Sequence, residues 1–152
     1  MKKLFLAGAF LLIFVCGIYG KSFAKNMDIK ALVDNFQKGT DLQKEQILKD
    51  NLNKAISASG IVTNAGEYDF FDIVTDLKGT YCQVSTGQQK TKNNTPYQVI
   101  FLFRDKDLAK DMDKGRRIQK EGKIIRIIDE RLQISLWIFC GELTKEDSTL
   151  FK

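Results

Sequence analysis

The sequence predicts a mainly β fold, a five-stranded barrel entered through two helices, and three observations carry that prediction. Apolar residues recur at every second position in most segments from residue 54 onward, the period of a strand. Spacings of three and four, the period of a helix, are confined to residues 26–53 and to the short stretch 105–113. The apolar fraction of 43% over 152 residues supplies one packed core of ordinary size and not two.

Met1-Lys2-Lys3 open the chain, residues 4–19 are apolar and uncharged, and Gly20-Lys21-Ser22-Phe23-Ala24 follow. This order of basic, apolar and small-residue regions is that of a secretory signal, because the lysines hold the cytoplasmic side while the apolar run enters the membrane. Residues 1–24 therefore read as a signal peptide cleaved after Ala24, and the mature chain as periplasmic or secreted. Two alternatives stand beside this. The run could remain as a membrane anchor, although a span needs roughly 20 apolar residues. Cys16 could carry a lipid, although Ile13-Phe14-Val15 before it differ from the small residues that precede bacterial lipidation cysteines.

Residues 25–53 form an N-terminal helical segment. Ile29, Leu32, Val33 and Phe36 make one apolar stripe, Lys38-Gly39 break it, and Thr40 begins a second helix with a capping box: its hydroxyl accepts from the backbone of Gln43 and the Gln43 side chain reaches back. Leu42, Ile47, Leu48 and Leu52 supply the second stripe. The β domain spans 54–143. Ile56, Ala58, Gly60 and Val62 alternate along the first strand, which Asn64-Ala65-Gly66 end or bend. An aromatic-rich stretch at 68–74 and a turn at 76–79 lead to the second strand, 80–86, with Cys82 and Val84 on one face and Tyr81, Gln83 and Ser85 on the other. Residues 87–95, polar throughout, read as an exposed loop. The third strand, 97–103, carries apolar residues on both faces. The helix at 105–113 presents Leu108 and Met112 as an i, i+4 pair. The fourth strand, 116–128, contains Gly122, which inside a strand marks a bend or bulge. The fifth, 132–140, turns Leu132, Ile134, Leu136, Ile138 and Cys140 to the core and Trp137 and Phe139 away from it. Residues 144–152 form a polar tail.

Three strands, a short helix and two further strands, with a glycine in the first, is the element order of a five-stranded OB-fold-like barrel. On Ala58-Ser59-Gly60-Ile61-Val62, Met112-Asp113-Lys114-Gly115-Arg116-Arg117-Ile118, Gly122-Lys123-Ile124-Ile125 and the last strand, residues 54–143 resemble the bacterial OB-fold proteins of the tRNA-anti-like family. The resemblance implies a barrel whose short helix, between strands three and four, plugs its bottom, with the N-terminal helices packed outside. Gly60 and Gly122 would let the strands coil tightly enough to close it. Lys120 departs from the pattern by sharing the parity of Ile118, Gly122 and Ile124: either it lies at the barrel mouth or the register slips by one near Gly122.

The composition excludes several chemistries. There is no histidine, so His-based acid–base catalysis, a Ser-His-Asp triad and His-ligated zinc are absent. Of 24 basic residues, Lys2, Lys3 and Lys21 lie in the signal segment, leaving 21 against 19 acidic ones, a mature charge of +2 rather than +5; that weakens a nucleic-acid reading built on charge. Cys82 and Cys140 could form a disulfide in an oxidising compartment or stay as two buried thiols.

No Gly-rich phosphate loop, metal-ligand spacing or cofactor motif is present, and the carboxylate pairs Asp69/Asp72 and Asp111/Asp113 read as solvated charges, so the chain is expected to be no enzyme. An OB barrel binds across its second and third strands, which singles out Tyr81, Gln83 and Ser85 with Arg104 as stacking and hydrogen-bonding candidates. Arg116, Arg117, Lys120, Lys123, Arg126 and Arg131 form the densest basic stretch, an anion-binding candidate that alternation divides between two faces. Trp137 and Phe139 either contact a partner or lie under the N-terminal helices, with Leu32, Phe36, Ile47 or Leu48 as the facing layer. The expected function is an exported, non-enzymatic binding module for a protein, an oligosaccharide or a small anion. The alternatives are a nucleic-acid binder and a structural protein of the envelope that assembles through its helices. Membrane contact is expected only through an uncleaved signal segment.

Overall fold

The computed structural model describes residues 27–68, 81–110 and 112–145. The signal segment, the aromatic stretch beyond Tyr68, the turn at 76–79, the Asp69/Asp72 pair, Asp111 and the end of the tail lie outside the described residues. The fold is mainly β: α1 (Ile29–Lys38), α2 (Asp41–Asn51), β1 (Ala55–Glu67), β2 (Cys82–Thr86), β3 (Gln89–Lys90), β4 (Pro96–Phe103), α3 (Lys106–Lys110), β5 (Arg117–Asp129) and β6 (Ile134–Cys140).

Five of the strands close a ring. They lie in the order β2-β1-β5-β6-β4, and β4 returns to pair with β2, while the two-residue β3 adds to β4. The β4–β6 pairing is parallel and the others are antiparallel. One long strand serves two neighbours: β1 pairs with β5 over Ala55–Ile61 and with β2 over Val62–Glu67. A sheet can close over so few strands only if they coil sharply, and two glycines stand where this brings backbones together. A Cβ on Gly60 would fall 2.6 Å from that of Thr86, and one on Gly122 would meet the Phe139 carbonyl oxygen.

The ring interior is the main core. Ile56, Ala58 and Val62 from β1, Val84 from β2, Val99, Phe101 and Phe103 from β4, Ile118, Ile124 and Ile127 from β5, and Ile134, Leu136 and Ile138 from β6 meet there. On β5 the pairing with β1 runs unbroken through Gly122, and the slip comes later, as a bulge between Ile124 and Arg126. That bulge explains why both Ile124 and Ile127 face inward while Ile125 faces out. Lys120 keeps the inward parity and is half-exposed.

The helices occupy the two ends. Thr40 and Gln43 form the predicted capping box on α2. The Asp28 side chain caps α1 by accepting from the Lys30 backbone at 2.9 Å. Leu32, Val33 and Phe36 of α1 join the ring core, so this helix closes the ring where β4 and β6 begin instead of packing on its outside. α3 leaves the far end of β4 and packs against β1, β2 and β4, with Ala109 buried. Residues 87–95 are no free loop: Gln89 and Lys90 pair with β4, and Thr91 and Thr95 are buried.

Candidate functional site

The outer face of β2, β4 and β6, where the sequence places a binding surface, is filled. Tyr81 is only 1% exposed and packs edge-on against Phe139, ring centroids 5.7 Å apart. Trp137 is 4% exposed and meets Tyr68 in the same manner at 5.9 Å. Ile100, Leu102 and Ile125 complete this second cluster, with Ile128 and Leu143 at its margin. The N-terminal helices do not cover Trp137 and Phe139; Leu32 and Phe36 are buried in the ring core, and Ile47 and Leu48 pack against it. Nor is Tyr81 available to stack on a ligand: its ring is buried, and Arg104 holds its guanidinium 5.8 Å from the ring centroid. Gln83 is half-buried and donates to the Ser85 hydroxyl at 2.9 Å.

Cys82 and Cys140 are free thiols. Each stands opposite Phe103, on its two sides, so strand β4 runs between them. Two strand spacings amount to about 9.5 Å, beyond the roughly 7 Å between Cα atoms that a disulfide can bridge. The bridge anticipated from the even cysteine count is therefore not formed. Burial raises the Cys140 thiol to about 12, against a smaller opposing pull from the Lys120 ammonium, so Cys140 is a protonated small hydrophobe rather than a nucleophile.

The basic stretch fares differently along its length. Arg126 lies opposite Trp137 on the outer face, and Arg131 is exposed in the turn before β6. Arg116, Arg117 and Lys120, by contrast, line one groove of about 320 Å³ with Val62, Met112, Ile118 and Gln119. Five consecutive residues of the chain, 116–120, line it. A groove on one face of a strand would collect alternate residues, so this one takes in both faces at the start of β5, beside Val62 of the paired β1 and Met112. The division of charges between faces, which sequence alternation suggests would scatter them, brings them together here. Among the described residues no carboxylate lines the groove.

A second constellation is invisible to motif reading. Asp34, buried on the inner side of α1, accepts from the Thr91 hydroxyl at 2.5 Å and the Thr95 hydroxyl at 2.8 Å on one oxygen, and from the Asn93 amide at 2.7 Å on the other. The Thr91 bond above all, with those from Thr95 and Asn93 and the Lys38 charge, holds its carboxyl below the usual range against the opposing cost of burial. Thr91 also accepts from the backbones of Asn93 and Thr95, so the carboxylate fastens α1 to the β3–β4 hairpin. An aspartate between Val33 and Phe36 in an apolar stripe was the available signal. These bonds make the cluster a clamp between α1 and the hairpin.

Among the described residues there is no group of three cysteine, aspartate or glutamate side chains arranged to hold a metal ion, and no helix is long and apolar enough to cross a membrane. No protein-family model matches the chain, and no curated protein matches it.

Proposed function

We propose that this protein is an exported binding module of OB-fold type that holds an anionic group of its partner in the groove beside β5, without covalent chemistry. The barrel assignment is supported by the ring order β2-β1-β5-β6-β4 with a parallel β4–β6 pair, and by α3 standing between the third and fourth ring strands. Likeness to the tRNA-anti-like proteins is part of the same proposal. Export rests on the order of residues 1–24.

The observation that carries the binding reading is the groove's composition: Arg117 and Lys120, with Arg116 beside them, against the apolar Val62, Met112 and Ile118. Guanidinium groups hold oxyanions in two-pronged fashion, and an apolar wall strengthens such bonds by excluding water. The burial of Tyr81 and Trp137 weighs against a stacking platform for nucleic-acid bases, since such a platform needs exposed rings.

Amide-resolved NMR titration with inorganic pyrophosphate tests the reading. Shifts should concentrate at residues 116–120, weaken with added salt and vanish in an Arg117→Ala/Lys120→Ala variant. Shifts spread evenly over the surface, or unchanged by the double substitution, would sink it.

A further inference from the structure

A second cavity adjoins the groove, at a seam in the ring. Over Ala55–Ile61 one side of β1 is taken by β5. On its other side the Gly87 N–H donates to the Ile61 carbonyl at 2.8 Å, and the Gln89 side chain then bridges to β1 by donating to the Ser59 carbonyl at 2.9 Å. The Tyr97 hydroxyl donates to the oxygen of the same amide at 3.2 Å and fixes its orientation. A side chain here spans what backbone bonds close elsewhere in the ring.

Beside that bridge lies a cavity of about 330 Å³, where the start of α1 meets β1 and the β3–β4 hairpin. Its polar lining is of mixed character. Lys30 and Arg117 are donors, Asp28 is an acceptor, and the hydroxyls of Ser57 and Ser59 do both. Asp28 uses one carboxylate oxygen to accept from the Lys30 backbone as the α1 cap and keeps the other. Met27, Ile29 and Ala58 set an apolar patch beside these groups. Arg117 also lines the groove with Lys120, so the two cavities meet at one guanidinium.

We infer that the two cavities together take an anionic saccharide, its phosphate or carboxylate in the groove and its sugar ring in the cavity at the seam, a reading that rests on the anion-binding groove proposed above and names its ligand class. A sugar hydroxyl both donates and accepts, so it needs donors and acceptors side by side, while the C–H face of the ring needs an apolar patch. The cavity supplies both. A second anionic group there would meet the Asp28 carboxylate, and a wholly apolar ligand would bury Asp28, Lys30 and two serines without partners. A volume of about 330 Å³ stands at the small end of the range for ligand sites, which suits a single sugar residue. The shared Arg117 places the anion next to the ring.

The test titrates glucose 6-phosphate, glucuronate and inorganic phosphate into the protein, followed by NMR and calorimetry. At least one of the two sugars should bind about tenfold more tightly than inorganic phosphate, as one or two added hydrogen bonds would give, and should shift amides at 28–30 and 57–59 as well as at 116–120. Comparing the two sugars tells which anion the groove prefers. Ser57→Ala/Ser59→Ala should remove the gain and leave the pyrophosphate shifts at 116–120 as they are. Asp28→Asn, which keeps a cap on α1, should weaken the sugar ligand. Unchanged or tighter binding in that variant would overturn the inference, tighter binding by showing that the cavity takes a second anion. Sugars that bind no better than inorganic phosphate, with pyrophosphate still held at 116–120, would overturn the saccharide and leave the groove reading intact. Loss of the pyrophosphate shifts as well would remove both.

Discussion

Thr86 occupies the space into which a side chain at position 60 would project: a Cβ on Gly60 would lie 2.6 Å from both Cβ and Cγ2 of Thr86. Thr86 cannot readily withdraw. Its hydroxyl donates to the Val99 carbonyl at 2.9 Å and accepts from the Val99 N–H at 3.1 Å, which continues the β2–β4 pairing just past Ser85 and Ile100.

Gly60→Ala is therefore expected to destabilise the protein by about 1–3 kcal/mol, the usual cost of overpacking a core, read from the midpoint of urea unfolding. Gly122→Ala should cost at least as much, because its obstacle is the Phe139 backbone and not a side-chain tip. Wild-type stability in either variant would mean that the strands do not approach as closely as described.

Asp34 makes stability depend on pH in the acid range. Its carboxyl lies below the ordinary value in the folded chain, so its contribution is fully present above the unfolded value of about 3.9 and is lost as pH falls through the lower folded one. Thermal unfolding midpoints should decline over that window, and Asp34→Asn should remove part of the decline. Hydrogen exchange in the variant should rise in α1 and the β3–β4 hairpin before it rises in β4 and β6. An acid limb unchanged by the substitution would assign that dependence to other carboxylates.

Cys82 and Cys140 should both accept an alkylating reagent once the protein is denatured without reductant, and peptide mapping identifies each. In the native state Cys140 should react far more slowly than a free thiol, since burial keeps it protonated up to about 12. A Cys82–Cys140 linked peptide would require β4 to leave its place between the two strands.

Period and capping made most of the architecture legible in the sequence. The capping box at Thr40, the inward faces of the strands and the glycine in each of β1 and β5 follow from local rules that tertiary contacts reinforce, whereas Leu132, expected on the core face of the last strand, lies before β6 and is 82% exposed. What failed to show was which face each element meets. The stripe of Leu32, Val33 and Phe36 reads equally well as a cover for the outer aromatics or as a plug for the ring, because periodicity specifies that a face is buried and not by what. The basic stretch illustrates the same limit. Alternation assigns Arg116 and Lys120 to one face and Arg117 to the other, and only the folded chain brings the three to one groove.

Trp137 converts that ambiguity into a measurement. As the single tryptophan, it reports on the outer face alone. Its emission should be blue-shifted and resistant to acrylamide in the free protein, because Tyr68, Phe139 and their neighbours enclose it. Trp137→Ala should cost about 3–5 kcal/mol, the range for emptying a buried aromatic site. Deleting the helical segment 25–53 should strip the plug from the ring core and lower stability, since Leu32, Val33 and Phe36 are buried there. An emission maximum that moves red on that deletion while the ring stays folded would place the helices over the tryptophan. An unmoved maximum in a ring that remains folded is the expected result, since the aromatic cluster and the helix plug lie on separate surfaces of the sheet.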